Sequence, residues 1–216
     1  MSVALKAPSP RTRSAGSLLA RLAAPGVSWE RLSFFAADPR PPRQGGGDLP
    51  VREAGEEELL ALRAASHPAR PLEELRERFR RGERCWVAQA LGGPGEGERV
   101  GSCWATRSGA RIAEAGLDVL LRPHEAFFYD AYVRPEWRDA GAFGSLLRAS
   151  LMRLAAEEVR CVHFCLRSDD VDALSQAARW ADATGTLWLA RRGGARCRLP
   201  EDRSALFPVL VARREP

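Results

Sequence analysis

The sequence predicts an α/β (α+β) fold in which a mixed central sheet of about six to seven strands is flanked by about four helices. Three observations support this fold class. Of the 216 residues, 45% are hydrophobic, which is enough for a substantial core. Apolar runs of strand length lie on either side of a glycine-rich hairpin signal. Further along the chain, strands alternate with segments whose apolar residues recur at helical spacing.

The first 48 residues are predicted to form a basic, Pro/Gly-rich extension that is largely disordered. Residues 1–27 surround one apolar patch, "SLLARLAA", and share an Arg-rich, acid-poor composition with organelle transit peptides. A disordered tail is the interpretation that we favour. "RLSFFA" (31–36) is compatible with a short strand, and the linker "DPRPPRQGGGDLP" follows it. The folded domain is therefore predicted to span residues 49–216.

The domain begins with "VREAGEEELLALRAA", which predicts a short strand and a helix. A second helix is predicted over "PLEELRERFRRGE", with Pro71 in its first turn and Gly82 after its last. "RCWVAQAL" (84–91) and "RVGSCWATRS" (99–108) predict two strands that the turn signal "GGPGEGE" joins. "RIAEAGLDVLL" and "EAFFYDAYV" (125–133) are predicted to continue the same sheet.

The second half of the domain predicts a helix from Gly141 to about Glu158, because its large apolar residues fall on one face. These residues are Phe143, Leu146, Leu147, Leu151 and Leu154. "RCVHFCL" (160–166) predicts a strand, and "DDVDALSQAARWADATG" predicts a helix that ends near Gly185. "TLWLARR" and "LFPVLVARR" predict the closing strands.

Charge and cysteine content argue against several functions. The net charge is +5, but residues 1–50 hold seven basic against three acidic side chains, so the rest is nearly neutral and is not predicted to bind nucleic acid. The five cysteines form no C-x-x-C pair and the histidines lack ligand spacing, so no metal is predicted. Free thiols favour a cytoplasmic location. No apolar run reaches the about 18 residues that a membrane span needs.

The run "VRPEWRDAGAFGSLL" (133–147) carries most of the functional information. In it a strand ends, and a glycine-containing loop opens into a helix. Such a loop turns backbone N–H groups toward one point, where the helix dipole adds partial positive charge. Gly141 would let the backbone approach an anion without a Cβ in the way. This run alone fits a pyrophosphate cradle and an ordinary strand–helix turn equally well.

The run resembles the acetyl-CoA-binding segment of the GNAT N-acetyltransferase superfamily, whose pattern is V-x-P-x-[YFW]-R-G-x-G-[IV]-[GA]-x-x-L-L. The matching positions are Val133, Pro135, Trp137, Arg138, Gly141, Leu146 and Leu147. The predicted order of elements over residues 49–213 agrees as well. The resemblance implies a divergent N-acetyltransferase that uses acetyl-CoA as acyl donor and needs no metal. The coenzyme contacts that it implies are Tyr132, Val133, Arg138, Asp139, Ala140, Gly141, Ala142, Phe143, Gly144 and Asp170.

The chain departs from the family pattern at three places. Asp139 puts a negative charge where the family has a glycine beside the phosphates. Phe143 replaces a glycine or alanine. In a later signature, Asp170 stands at an asparagine, Ala177 at the tyrosine that commonly protonates the departing thiolate, and Ala181–Asp182 at a Gly-Phe pair. These departures leave open an alternative function, a catalytically impaired GNAT-like binding or regulatory module.

Transfer to an amine also needs a base, because the attacking nitrogen must be neutral. Asp130 is the first candidate, since it lies in an apolar strand three residues before Val133, a position that is often acidic in the family. A carboxylate with purely structural hydrogen bonds explains this residue equally well. Glu125, at the start of the same strand, is the second candidate. The general acid is expected to be water. The acceptor is expected to be a small-molecule or peptide amine, and the sequence leaves a homodimer open.

Overall fold

The computed structural model describes residues 28–40, 49–64, 71–92, 96–112, 115–192, 195–202 and 209–212. Its strands are β1 Ser28–Ala37, β2 Val51–Ala54, β3 Arg84–Gln89, β4 Arg99–Thr106, β5 Ala110–Ile112, β6 Leu117–Leu120, β7 Glu125–Val133, β8 Cys161–Arg167, β9 Asp182–Arg192, β10 Ala195–Asp202 and β11 Val209–Ala212. The α-helices of these stretches are α1 Leu59–Ala64, α2 Leu72–Arg80, α3 Ala142–Ala156 and α4 Val171–Ala177, with 3-10 turns at Glu56–Glu58 and Pro135–Trp137. Within them, no helix combines the length and the apolar character that crossing a bilayer requires.

Eight strands form the main sheet, in the order β10-β9-β1-β8-β7-β4-β3-β2. The strands β5, β6 and β11 form a second, smaller sheet. Neighbouring strands of the main sheet run antiparallel except for β7 and β8, which run parallel. The predicted fold class is therefore confirmed, with one strand more in the central sheet than the upper end of the prediction.

The main sheet has a core on each face. Helices α3 and α4 cover one face, where the predicted apolar stripe of α3 is buried against Phe35, Phe128 and Phe164. The small sheet covers part of the other face and packs on Phe34 and Phe127, while α1 and α2 cover the rest. Adjacent phenylalanines in β1 and in β7 thus point to opposite faces, as the two-residue period of a strand requires. Because both faces of the main sheet are covered, a ligand-binding site is expected at the edges of the sheet or at the ends of its strands.

The predicted start of the domain near residue 49 is wrong. The short strand suggested at 31–36 is the ten-residue strand β1, which lies between β8 and β9. Its residues 32–37 pair with β8, and its residues 28–36 pair with β9. The linker composition that follows β1 hid this, because a local signal cannot show which distant strands a short apolar run will pair with. Residues 1–27 and 41–48 of the predicted extension lie outside the described part of the chain.

Three further predictions need correction. The segment "RIAEAGLDVLL" does not continue the main sheet but forms β5 and β6 of the small sheet, where β11 pairs with β6. The helix predicted to reach Gly185 ends at Ala177, because β9 begins at Asp182 and gains ladder hydrogen bonds from both β1 and β10. Strand β10 was not predicted. Helix α3, by contrast, matches its prediction closely at both ends.

We expect Phe34→Ala to cost about 3–5 kcal/mol of unfolding free energy, because Phe34 is fully buried under the small sheet. Urea unfolding followed by circular dichroism would measure it. The control is Leu60→Ala, since Leu60 is 74% exposed and its replacement should change stability by no more than about 0.5 kcal/mol. A Phe34→Ala effect as small as that of the control would show that β1 is not part of the cooperative fold.

Candidate active site

The main sheet opens between β7 and β8. Their parallel pairing covers only three positions, from Glu125 with Cys161 to Phe127 with His163. Beyond that point β7 stays with β4 up to Val133, and β8 stays with β1 up to Arg167. A cleft of about 1060 Å³ is lined by residues 127–132 of β7 and 165–167 of β8, together with parts of α2 and the small sheet. The strand separation thus creates a concave site in an otherwise continuous sheet.

A β-bulge shapes the wall of this cleft. Two residues of β7, Asp130 and Ala131, lie opposite one residue of β4, Cys103. Asp130 has a φ of 51°, in the left-handed region that few residues other than glycine adopt. Strain of this kind costs about 1–3 kcal/mol and persists only where the surroundings impose it. The two strands are also close here, because a Cβ on Gly101 would lie 2.8 Å from the carbonyl oxygen of Tyr132.

Arg78 of α2 holds the Asp130 carboxylate in place. Its Nη1 donates to Asp130 Oδ2 at 2.7 Å, and its Nη2 donates to Glu74 Oε1 at 2.8 Å. The guanidinium carbon lies 5.1 Å from the ring centroid of Trp104 and 5.0 Å from that of Tyr129, and only 4% of the side chain is exposed. Two carboxylates and two aromatic faces therefore compensate this buried cation. Asp130 thus lines the cleft with its carboxylate held in a defined orientation by this ion pair.

A second polar pair lies beside this one. The Tyr129 hydroxyl donates to Glu83 Oε2, and Arg81 Nε donates to Glu83 Oε1 at 2.9 Å. Burial raises the pKa of Tyr129 above its ordinary value, so the phenol stays protonated at neutral pH. Its proton is directed at Glu83, which is itself buried. Tyr129 is therefore a structural donor in this arrangement, while Tyr132 lines the cleft.

The N-terminus of α3 follows the end of β7 by a short loop. The chain makes the 3-10 turn Pro135–Trp137 and then reaches Gly141, whose φ of 75° a glycine adopts at no steric cost. Within the described residues, no acceptor binds the backbone N–H groups of Asp139, Gly141, Ala142 and Phe143. Unpaired amides at the start of a 15-residue helix are the donors that, together with the helix dipole, bind anions.

Gln176 of α4 takes the next amide of this helix. Its Oε1 accepts from Gly144 N at 2.8 Å, and its Nε2 donates to Arg138 O at 3.5 Å. One glutamine side chain therefore caps α3 and ties the loop to α4. A ligand that needed the Gly144 amide would have to displace it.

The two departures inside the loop differ in their consequences. The Phe143 side chain is buried and packs edge-to-face on Phe128, with ring centroids 6.1 Å apart, so it points into the core and leaves the loop open. Asp139 is exposed, and within the described residues it forms no ion pair with Arg138. Its negative charge therefore stays close to the free amides and opposes anion binding.

The structure brings most, but not all, of the predicted site residues together. Val133 ends β7 opposite Gly101 of β4, directly before the loop with Arg138 and Ala140. Asp170 lines the cleft, and its Oδ1 accepts from Ala173 N at 3.1 Å, so it caps α4.

Glu125 lies apart from this group. It stands five positions before Asp130, about 17 Å along an extended strand, at the end where β7 and β8 are still paired. Its Oε1 is 3.5 Å from His163 Nε2, and burial lowers the pKa of that imidazole. Its position does not support the role of second candidate base. Across the described residues, no three His, Cys, Asp or Glu side chains gather in a way that would hold a metal ion.

Three residues of the site were missed by sequence reasoning. The sequence analysis gives Arg78 no role, although its position between Leu75 and Phe79 could have indicated burial. Glu83 follows the helix directly and carries no motif. Gln176 precedes Ala177, where the family's later signature is eroded, so no pattern marked it.

No protein-family model matches the sequence, and no curated protein matches it. Solved structures do match. A protein assigned to the GNAT family of acetyltransferases from Novosphingobium aromaticivorans aligns with a TM-score of 0.50 at 16% identity, over 76% of this chain and 66% of that one. A GCN5-related N-acetyltransferase from Sphaerobacter thermophilus aligns with a TM-score of 0.53 at 16% identity, over 90% of this chain and 60% of that one. The chain has the GNAT fold.

A third structure, a functionally unknown conserved protein from Staphylococcus epidermidis, aligns with a TM-score of 0.52 at 11% identity, over 86% of this chain and 70% of that one. The chain thus spans between 60% and 70% of the length of these three proteins. The GNAT-like fold that the resemblance of the run at 133–147 implied is therefore confirmed. The structural similarity establishes the fold. Because the identities are between 11% and 16%, it does not establish the activity.

We expect Arg78→Met to destabilise the protein by about 2–4 kcal/mol, because it removes the buried cation that pairs with Glu74 and with Asp130, whose side chain is only 12% exposed. The double variant Arg78→Met/Asp130→Asn should recover part of this loss. Urea unfolding of the single and double variants measures the coupling as a double-mutant cycle. Arg76→Met on the exposed side of the same helix is the matched control and should cost below about 1 kcal/mol. Equal losses in the two single arginine variants would contradict the prediction.

Proposed function

We propose that this protein is an N-acetyltransferase that transfers an acetyl or short acyl group from acetyl-CoA to the amine of a small molecule or peptide. One observation carries the proposal: the cleft between β7 and β8 lies on the same strand–loop–helix unit as the free amides of α3. An extended thioester can lie in such a cleft while its phosphates lie at the helix. Free cysteines such as Cys85 and Cys103 support a cytoplasmic location within the same proposal.

The residues of the loop fit a pyrophosphate. The amides of Gly141, Ala142 and Phe143 are consecutive and have no acceptor in the described part of the chain, and Gly141 has no Cβ to obstruct a phosphate. Arg138, which is exposed beside them, would add a positive charge. The backbone of Val133, at the open edge of β7, would pair with the extended arm of the coenzyme. Asp139 opposes the phosphates, so we expect affinity at the weak end for a site of this type.

Asp130 has the position that the chemistry needs. The bulge presents it to the cleft, and Arg78 fixes its orientation. In the proposed reaction it binds the acceptor amine and takes its proton, directly or through a water molecule. Water would serve as the general acid, because Ala177 carries no hydroxyl and Tyr129 is committed to Glu83.

The second candidate function is a binding or regulatory module without catalysis. Three observations favour it: Gln176 holds the Gly144 amide, Arg78 holds the Asp130 carboxylate, and Ala177 is buried in the core. Each of them removes a group that an acetyltransferase would use. Acetyl-CoA binding without acyl transfer would favour this candidate.

The first test is calorimetric titration with acetyl-CoA, with coenzyme A and ADP as partial ligands. We expect saturable binding that Gly141→Glu weakens by at least about tenfold, or about 1.4 kcal/mol, because the new carboxylate lies among the free amides. Gly141→Ala is the control for backbone strain at this positive φ and should weaken binding less.

No binding of acetyl-CoA at millimolar concentration would refute the enzyme and leave only the fold. If binding is found, an amine screen follows, in which Asp130→Asn should lower the rate of acyl transfer without changing the affinity for acetyl-CoA. An unchanged rate would remove Asp130 from the proposed mechanism.

The variant Gln176→Ala tests whether Gln176 only caps helix α3 or also competes with the coenzyme for the Gly144 amide. We expect the variant to lose about 0.5–1.5 kcal/mol of stability, as for a typical hydrogen bond, and to bind acetyl-CoA more tightly because the Gly144 amide is free. Gln176→Glu keeps an acceptor for that amide but adds a negative charge, so it should bind more weakly than the wild type. Calorimetry and urea unfolding measure both properties. Weaker binding by Gln176→Ala would show that Gln176 supports the cradle instead of competing for it.

A further inference from the structure

A second cavity lies at the other end of β7. It has a volume of about 430 Å³, and its charged lining consists of four arginines against two glutamates. These are Arg81, Arg84, Arg107, Arg122, Glu125 and Glu157. Four guanidinium groups line this one concavity, and each of them has at least one glutamate nearby. Guanidinium groups match carboxylate and phosphate oxygens in geometry as well as in charge.

The four arginines differ in how firmly they are held. Arg84 is engaged on both sides, by Glu53 and by Glu157. Arg81 donates to Glu83. Arg107 and Arg122 are held loosely. The Arg107 Nη1 is 3.9 Å from Glu157, and the Arg122 Nη1 is 3.7 Å from Glu125.

Both of those distances exceed that of a good hydrogen bond. The side chains of Arg107 and Arg122 are 49% and 60% exposed, and neither donates a side-chain hydrogen bond to another described residue. They are therefore the two guanidinium groups that an incoming anion can engage without breaking a strong interaction.

The second cavity adjoins the cleft. Arg81 and Ser108 line both of them. From Arg81 a series of contacts leads into the cleft, through Glu83 to the Tyr129 hydroxyl, whose ring lies beside Arg78. Ligands in the two cavities would thus lie on opposite sides of the same lining residues, Arg81 and Ser108.

We propose that the second cavity is an anion-binding site for a carboxylate or phosphate group, with Arg107 and Arg122 as its principal donors. The volume exceeds what a single phosphate fills, so the cavity also has room for part of the molecule that carries the anion. Two sources share this chemistry: the anionic end of the acceptor whose amine enters the cleft, and a separate small anion. The first source rests on the proposed acetyltransferase function, whereas the site itself does not.

Calorimetric titration with inorganic phosphate tests the site directly, in buffer of constant ionic strength. We expect saturable binding that Arg107→Gln/Arg122→Gln weakens by at least tenfold. The matched control is Arg76→Gln/Arg80→Gln, because those arginines are also about half exposed and paired with glutamates but line neither cavity. All these side chains are on the surface, so unfolding curves should stay the same. Absence of saturable binding, or an equal loss in both double variants, would overturn the proposal.

Two series of ligands distinguish an anion that belongs to the acceptor from an anion that binds separately. Unbranched ω-aminoalkanoates are compared with alkylamines of equal length, for binding and, where transfer is found, for KM. If the anion belongs to the acceptor, the aminoalkanoates bind more tightly at an optimal length, phosphate competes with them, and Arg107→Gln/Arg122→Gln abolishes the difference. If the anion is separate, both series behave alike with and without phosphate. Since phosphate binding is measured without acetyl-CoA, failure of the anion site remains distinguishable from failure of the acetyltransferase.

Discussion

Strand β7 lies between two neighbours, and after Phe127 it pairs with only one of them, β4. It shares three positions with β8 and then follows β4 to its end. The bulge at Asp130 adds local twist and a bend to β7 beyond the point where its pairing with β8 has ended. The cleft, the loop after Val133 and the place of α3 all follow from this divergence. A fully paired β7 and β8 would close the sheet and leave no concave site.

The separation of β7 from β8 leaves the Asp130 carboxylate partly buried, and the positive charge of Arg78 compensates for it. The Asp130 carboxylate, presented by a strained backbone, is held by a guanidinium between two aromatic rings. Because that guanidinium comes from α2, the helix is fixed to the bulge by an ion pair as well as by apolar packing. A pair of this kind contributes more to a defined orientation than to stability, since desolvation offsets much of the attraction between the charges. Positioning of the carboxylate is therefore the consistent interpretation of Arg78.

Local sequence patterns predicted the parts of the fold that local physics decides. Helix α3 was correctly placed because five large apolar residues follow its period, and Gly141 stands where the chain needs a positive φ. Strand β1 was underestimated and β5 was placed in the wrong sheet, because strand partners are chosen by long-range packing that no window of sequence contains. The same limit applies to the site. Asp130 was found as an acid in an apolar strand, whereas its partner Arg78 lies 52 positions earlier on a helix whose sequence marks none of its arginines as special.

The structure also changes which residues matter among the departures from the GNAT pattern. Phe143 departs from the pattern, yet its ring packs in the core against Phe128, and its backbone amide has no acceptor among the described residues. The residue that does engage the helix is Gln176, which no motif marked. A side chain can be displaced by a ligand that makes better hydrogen bonds, but a backbone blocked by packing cannot. Phe143 therefore does not block the loop, and under the proposed function Gln176 would compete with the phosphates for the Gly144 amide.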